Sequence, residues 1–167
     1  FVDRVVEESA KSIGKAKDLG LYTVFFPYDT TRAEEDDLVK LLKDLKELNF
    51  LPDSIGIVDT MGCALPEAMG YLVTLVKSIW DMSVEVHAHN DFGLAVANSI
   101  AALKAGAGVV HCCVNGIGER TGNCSTEEIV AFISLLMGVD IGVDISKLQE
   151  LSDLVSELTG FSFPQNK

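Results

Sequence analysis

His87-Ala88-His89-Asn90-Asp91 follows the strand-forming residues 84–86 and precedes the predicted start of a helix near residue 94. On an extended strand, residues i and i+2 point to the same face and lie about 7 Å apart. His87 and His89 are therefore close enough to bind one divalent cation through their imidazole nitrogens. A lone histidine is more often a buried structural residue, but a pair at the carboxyl end of a strand favours a metal site. The stretch predicts a strand, a metal-binding junction and a helix in succession.

Composition indicates a globular domain that acts on small molecules. The chain has 167 residues, of which 48% are hydrophobic, and this suffices for one domain with a sizeable core. Its net charge of −12 argues against nucleic acid or an anionic membrane as a partner, because both attract clustered Lys and Arg. The sequence has neither a long uncharged apolar stretch nor a signal-peptide pattern at its start, so we expect a cytoplasmic protein. It begins with Phe1 rather than Met, which indicates a fragment.

The four cysteines do not form a recognisable metal or disulfide motif. Cys63, Cys112, Cys113 and Cys124 lack C-x-x-C spacing, and two adjacent cysteines on a strand point in opposite directions. We therefore expect four reduced thiols.

Helices and strands alternate along the chain. Helices are predicted over residues 2–19, 33–48, 66–79, 94–105, 125–137 and 144–158, and strands over residues 22–26, 54–59, 84–89 and 109–115. Four nearly apolar strands separated by helices predict a parallel sheet covered by helices. Polar residues follow each strand at its carboxyl end, which is where barrels and open α/β sheets both place their active sites.

A small doubly wound domain also fits four such strands. That fold needs a phosphate-binding glycine turn or a switch point in the strand order. The glycine-rich residues 116–122 resemble such a turn only weakly, because they follow the last strand and contain Glu119.

Two motifs resemble those of a known enzyme family. They are HAHNDxGLAxANS over residues 87–99 and NGIGERTGN over residues 115–123, with AGA at residues 105–107 and DTxG at residues 59–62. They resemble the signature of the isopropylmalate, homocitrate and citramalate synthases. This group has a pyruvate carboxyltransferase-type domain and belongs to the metal-dependent TIM-barrel superfamily that includes hydroxymethylglutaryl-CoA lyase. The resemblance implies that residues 1–167 are the C-terminal half of one (β/α)8 catalytic domain, strands five to eight, with the N-terminal half missing.

The same resemblance assigns candidate ligands. It places His87, His89 and Asn123 on one divalent metal ion (Zn, Mn or Mg), and a further Asp ligand on the first barrel strand, outside this sequence. Thr60 would hydrogen-bond the carboxylate of a 2-oxo acid, and Arg32 and Asn115 would also bind substrate. The metal would act as a Lewis acid on the acceptor carbonyl.

The sequence departs from the synthase pattern after the first predicted strand. Synthases carry a Ser-x-Glu-Asp-x-x-Arg segment there, whereas this chain has Phe26-Pro27-Tyr28-Asp29-Thr30-Thr31-Arg32, with Tyr28 in place of the Glu. The candidate catalytic residues are therefore Tyr28 as a donor to an enolate oxygen, Asp29 as a base, and Glu119. The base is alternatively a residue of the missing N-terminal half or one beyond Lys167. Tyr28 is equally compatible with a role in filling the barrel mouth. Glu119 and Arg120 either fix their loop or contact the acyl-CoA.

Three function classes remain open at this point. The first is Claisen-type condensation of acetyl-CoA with a small 2-oxo acid by a protein that is homodimeric at full length. The second is an acyl-CoA lyase or aldolase, since Pro27-Tyr28 followed by an acid is similar to the lyase's Cys-Pro-Tyr-Glu. Against it, the chain lacks the lyase's Gly-Gly-Cys-Pro insertion, and Cys124 is interpreted as a packing residue. The third is an inactive fragment or an isolated structural domain. In any of these classes, we interpret His111 as a core histidine bonded to a neighbouring strand.

Overall fold

The computed structural model describes residues 1–161 as parallel strands alternating with helices. The strands are β1 (Val24–Phe25), β2 (Ser54–Asp59), β3 (Ser83–Ala88) and β4 (Val109–His111). The helices are α1 (Val2–Asp18), α2 (Glu35–Glu47), α3 (Pro66–Ile79), α4 (Ala95–Lys104), α5 (Thr126–Ala131), which continues as a π-helical turn (Phe132–Leu136), and α6 (Leu148–Thr159). Among the helices of residues 1–161, none combines the length and hydrophobicity that a membrane span requires.

The strands form one parallel sheet in the order β1-β2-β3-β4. The two central strands match their predicted bounds to within one residue at each end. The two outer strands are shorter than predicted: β1 pairs with β2 only through Val24 and Phe25, and β4 pairs with β3 only through residues 109–111. Beyond β4 the backbone also turns at Asn115, which has a φ of 64°. The sheet is thus most regular where the two histidines lie.

The two faces of the sheet differ in polarity. Apolar side chains of one face, such as Ile57 and Val86, pack against α1 to α4 in the main hydrophobic core. The core includes Trp80, which is 1% exposed and donates its indole N–H to the carbonyl of Leu42 at 3.0 Å. Because side chains alternate along a strand, the next residues in each strand face the other way, and His87 is one of them. That inner face carries the polar groups.

A hydrogen-bonded cluster covers the inner face below the histidines. Glu85 is 7% exposed, accepts a hydrogen bond from the hydroxyl of Ser54, and lies 2.7 Å from Nε2 of His111. His111 is therefore bonded to the neighbouring strand, as predicted, although its side chain is 36% exposed rather than buried. The ring of Phe26 packs edge-on against His111 and lies across Gly56, where a Cβ atom would clash with it.

Candidate metal and substrate site

His87 and His89 lie side by side at the carboxyl end of β3. Their ring centroids are 5.1 Å apart, with the ring planes at 78°. Burial, reinforced by the charges of His89 and His111, lowers the pKa of His87, which keeps its imidazole in the neutral form that binds metals. His89 is 7% exposed, and its buried Nδ1 has no hydrogen-bond partner among the described residues. Buried ring nitrogens are normally satisfied, so this atom is consistent with a ligand that completes the site.

Asn123 joins the two histidines from the glycine-rich loop after β4. Its backbone forms an isolated antiparallel bridge with His89, and its Nδ2 lies 3.3 Å from Nε2 of His87. The absence of a side chain at Gly118 makes this approach feasible, because a Cβ there would lie 1.9 Å from the Asn123 amide oxygen. The structure thus brings together the three residues predicted to bind the metal.

The chemistry of this donor set fits part of a metal site. Imidazole nitrogens and an amide oxygen suit zinc, manganese or magnesium as members of a larger ligand set. Residues 1–161 contain no group of three or more His, Cys, Asp or Glu side chains placed to hold a metal ion. The residues present therefore fit a divalent cation only if further ligands come from other parts of the protein or from substrate.

Thr60 and Asp29 meet on the loops after β2 and β1. Asp29 has a left-handed backbone with φ 58°, and its N–H donates to Oγ1 of Thr60 at 3.0 Å. The Asp29 carboxylate accepts two hydrogen bonds from the guanidinium of Arg32. Tyr28, one residue earlier, is 81% exposed. Asp29 is therefore engaged in an ion pair, whereas the Tyr28 side chain is open to solvent.

Asp59 connects three elements at this end of the sheet through hydrogen bonds, a role that was not predicted from the sequence. Its carboxylate is 0% exposed and accepts hydrogen bonds from the hydroxyl of Thr31, the backbone N–H groups of Cys63 and Ala64, and Nδ2 of Asn98. These donors come from the loop after β1, the loop after β2 and helix α4. A signal was present in the sequence, since an Asn within the apolar residues of α4 and an Asp at the end of a buried strand both need partners.

Arg120 crosses the mouth of the site. It donates to both carboxylate oxygens of Asp91, at 2.8 and 2.9 Å, and to the carbonyl of Thr60 at 2.6 Å. Glu119 lies 3.5 Å from another guanidinium nitrogen, but its side chain is 74% exposed. The structure therefore favours the interpretation in which Arg120 fixes the loop. Asn90 supports the same region as a cap, since its Oδ1 accepts the N–H of Ala95 at 3.1 Å.

Asn115 does not join the histidines. Its side chain donates to the carbonyl of Ser152 and to the hydroxyl of Ser156, both in α6, and its backbone N–H contacts the Glu127 carboxylate. These contacts tie the end of β4 to the helices that follow, and they give no support to the predicted substrate role.

Cys124 packs in the core, as predicted. It is 0% exposed, and burial raises the pKa of its thiol to about 11. No disulfide joins the cysteines of the described residues.

Comparison with known proteins agrees with the geometry. The profile of the HMGL-like family matches residues 2–155. The homocitrate synthase AksA of Methanocaldococcus jannaschii is 40% identical over 99% of this chain and 41% of its own length. The 2-isopropylmalate synthase of Sulfolobus acidocaldarius is 45% identical over 99% of this chain and 42% of its own length. The chain thus spans about two fifths of the length of these relatives.

Comparison with solved structures identifies the fold. The HMG-CoA lyase of Bacillus subtilis superposes with a TM-score of 0.81 at 21% identity, covering 96% of this chain and 57% of the lyase chain. Such lyases are TIM barrels, so the four strands form part of such a barrel. The fold and the match over residues 2–155 together show that this chain belongs to the HMGL-like family.

Proposed function

We propose that the full-length protein condenses acetyl-CoA with a small 2-oxo acid in a Claisen-type reaction that requires one divalent metal ion. The observation that carries this proposal is the convergence of His87, His89 and Asn123, from a strand end and a separate loop. It is supported by 40% and 45% identity to homocitrate and isopropylmalate synthases. The cytoplasmic location, the homodimeric state and the assignment to strands five to eight remain predictions.

The three convergent residues hold the metal in this proposal. His87 and His89 offer ring nitrogens, and Asn123, which stays beside the His87 ring, offers its amide oxygen once its amide group turns to exchange the positions of Oδ1 and Nδ2. When bound, the metal would polarise the carbonyl of the acceptor. The low pKa of His87 favours binding at neutral pH, because fewer protons compete for its ring.

Residues of the neighbouring loops bind and orient the substrates. The Thr60 hydroxyl accepts the N–H of Asp29, which leaves its own hydrogen to donate to the acceptor carboxylate. Arg32 is paired with Asp29, so proton abstraction by Asp29 requires that this pair open. Tyr28, exposed at the mouth, would donate to the enolate oxygen of the acetyl group. Glu119 is also exposed and would contact the acyl-CoA end.

Retro-reaction by a lyase is the second candidate. The loop after β1 carries Pro27 and Tyr28 followed by an acid, and the fold superposes closely on an HMG-CoA lyase. The burial and raised pKa of Cys124 weaken this candidate, since this thiol cannot act as an exposed catalytic group.

One experiment separates the two reactions. Full-length protein is stripped with chelator, reloaded with Zn, Mn or Mg, and assayed for thiol release from acetyl-CoA over a panel of 2-oxo acids. Cleavage of 3-hydroxy-3-methylglutaryl-CoA is measured in parallel. Thiol release that depends on both metal and one 2-oxo acid supports condensation, and cleavage without condensation supports the lyase.

The metal ligands have their own test. We expect the His87→Ala/His89→Ala double variant to lose most of its bound metal by elemental analysis. His111→Gln is the matched control, because it removes the other imidazole of the inner face and should retain metal stoichiometry. Unchanged metal content in the double variant would place the site elsewhere.

A further inference from the structure

Arg120 links three loops at the mouth of the sheet. It lies in the loop after β4 with a φ of 57°, a left-handed conformation that is uncommon for residues other than glycine. Its guanidinium reaches Asp91 in the loop after β3 and the carbonyl of Thr60 in the loop after β2. The side chains of Arg120 and Asp91 are 32% and 22% exposed, so water screens this pair only partly.

The loop that carries Arg120 also carries Asn123, and it is rich in glycine. Gly116 and Gly122 adopt positive φ values, and a Cβ on Gly122 would lie 1.9 Å from the Gly116 carbonyl oxygen. Glycines give an unrestrained loop many backbone conformations, so its single folded form depends on external contacts. One such contact is the hydrogen bond from the Asn90 N–H to the Gly122 carbonyl at 2.9 Å.

Asp91 is also packed on the side that faces away from Arg120. Gly62 follows Thr60 in the loop after β2, and a Cβ on it would lie 2.6 Å from both the backbone nitrogen and one carboxylate oxygen of Asp91. The Asp91 carboxylate is thus held between the loop of Gly62 and the guanidinium of Arg120. A bidentate guanidinium with a further carbonyl contact restrains direction as well as distance.

We propose that Arg120 is a positioning residue that holds Asn123 beside His87 and so assembles the metal donor set before the metal binds. This inference rests on the proposed metal site. Arg120 acts through the loop: only Thr121 and Gly122 separate it from Asn123, so the backbone has little freedom when Arg120 is fixed to Asp91 and Asn123 pairs with His89. Glu119 contributes less, because its carboxylate is largely solvated.

Metal affinity in the full-length protein tests the proposal. Binding of Mn²⁺ or Zn²⁺ alone is measured by calorimetry for the wild type, Arg120→Gln and Arg120→Lys. We expect Arg120→Gln to weaken binding about 10–100-fold, the range typical for groups that orient metal ligands. Arg120→Lys should weaken metal binding by a smaller factor, because the lysine keeps the positive charge beside Asp91. Some affinity should still be lost, since lysine cannot contact both Asp91 and Thr60. Arg4→Gln, an exposed arginine of α1, is the matched control and should bind as the wild type does.

Hydrogen exchange supplies a readout that does not depend on metal. Without metal, the amides of Gly122 and Asn123, which donate to backbone carbonyls, should exchange faster in Arg120→Gln and in Asp91→Asn than in the wild type. The Asp91 variant keeps the proposal testable if Arg120→Gln fails to fold. Wild-type metal affinity with unchanged loop exchange in the variants would overturn the role of Arg120. A wild-type protein that binds no metal would instead refute the proposed function. Hydrogen exchange of Gly122 and Asn123 would still show whether Arg120 holds the loop in place.

Discussion

The buried contact between Asn98 and Asp59 leads to a quantitative prediction for Asn98→Ala. Asn98 is 0% exposed; its Nδ2 donates to the Asp59 carboxylate at 3.2 Å and to the Ala64 carbonyl at 3.0 Å. A hydrogen bond to a charged acceptor contributes about 1.5–3 kcal/mol, and one to a neutral acceptor about 0.5–1.5 kcal/mol. The substitution also removes Oδ1 of Asn98, a buried atom that has no hydrogen-bond partner among the described residues. Removing this unsatisfied group reduces the loss of stability by at least about 1 kcal/mol. We expect a net loss of about 2 kcal/mol in the free energy of unfolding.

Two measurements on the full-length protein check this value. Urea-induced unfolding gives the change in free energy, and hydrogen exchange reports on the amides of Cys63 and Ala64, which both donate to Asp59. Gln149→Ala is the control, because it removes an exposed amide of α6 and should change stability by less than about 0.5 kcal/mol. If Asn98→Ala also changes the free energy of unfolding by less than about 0.5 kcal/mol and leaves hydrogen exchange of both amides unchanged, the network does not stabilise the loop after β2 as inferred.

Three further predictions concern the mouth of the site. If Tyr28 donates to the enolate, Tyr28→Phe should lower kcat about 10–1000-fold while metal content is retained, and a kcat within about twofold of wild type would show that its hydroxyl takes no part in the reaction. Gly118→Ala should weaken metal binding in calorimetry, because the new Cβ would overlap the Asn123 amide, whereas Gly70→Ala in α3 meets only ordinary contacts and should bind normally. The ion pair lowers the pKa of Asp91, so its contribution is present above the unfolded pKa of about 3.9 and is lost as pH falls through the folded value. The stability difference between wild type and Asp91→Asn should therefore shrink below about pH 4, and a difference that stays constant would contradict this account.

Local patterns predicted the central part of the fold. β2 and β3 are buried over nearly their whole length, so their apolar runs matched the observed bounds. The outer strands were predicted too long, because apolar character shows that a segment can be extended but not how many residues find a pairing partner. The last predicted strand was extended to Asn115, although Asn115-Gly116 is a dipeptide typical of turns, and the backbone does turn there with a φ of 64° at Asn115.

The candidate site was predictable where spacing alone places side chains together. His87 and His89 share a strand face, and the motif that ends at Asn123 identified the third member. The partners of Arg120 could not be predicted from the sequence, because they lie on two other loops that are 29 and 60 residues away in the chain. For the same reason Asn115 was assigned to substrate, whereas its side chain is used by α6.

The contact between Phe26 and Gly56 links the identities of two residues that are far apart in the chain. A Cβ at residue 56 would lie 2.0 Å from the Phe26 ring, so the aromatic side chain can occupy the inner face only while its neighbour has none. A relative with a larger residue at the position of Gly56 must therefore carry a smaller residue, or a differently placed ring, at the position of Phe26. The two positions should vary together among homologous sequences. The loss of stability caused by a larger residue at position 56 should be reversed by a smaller residue at position 26.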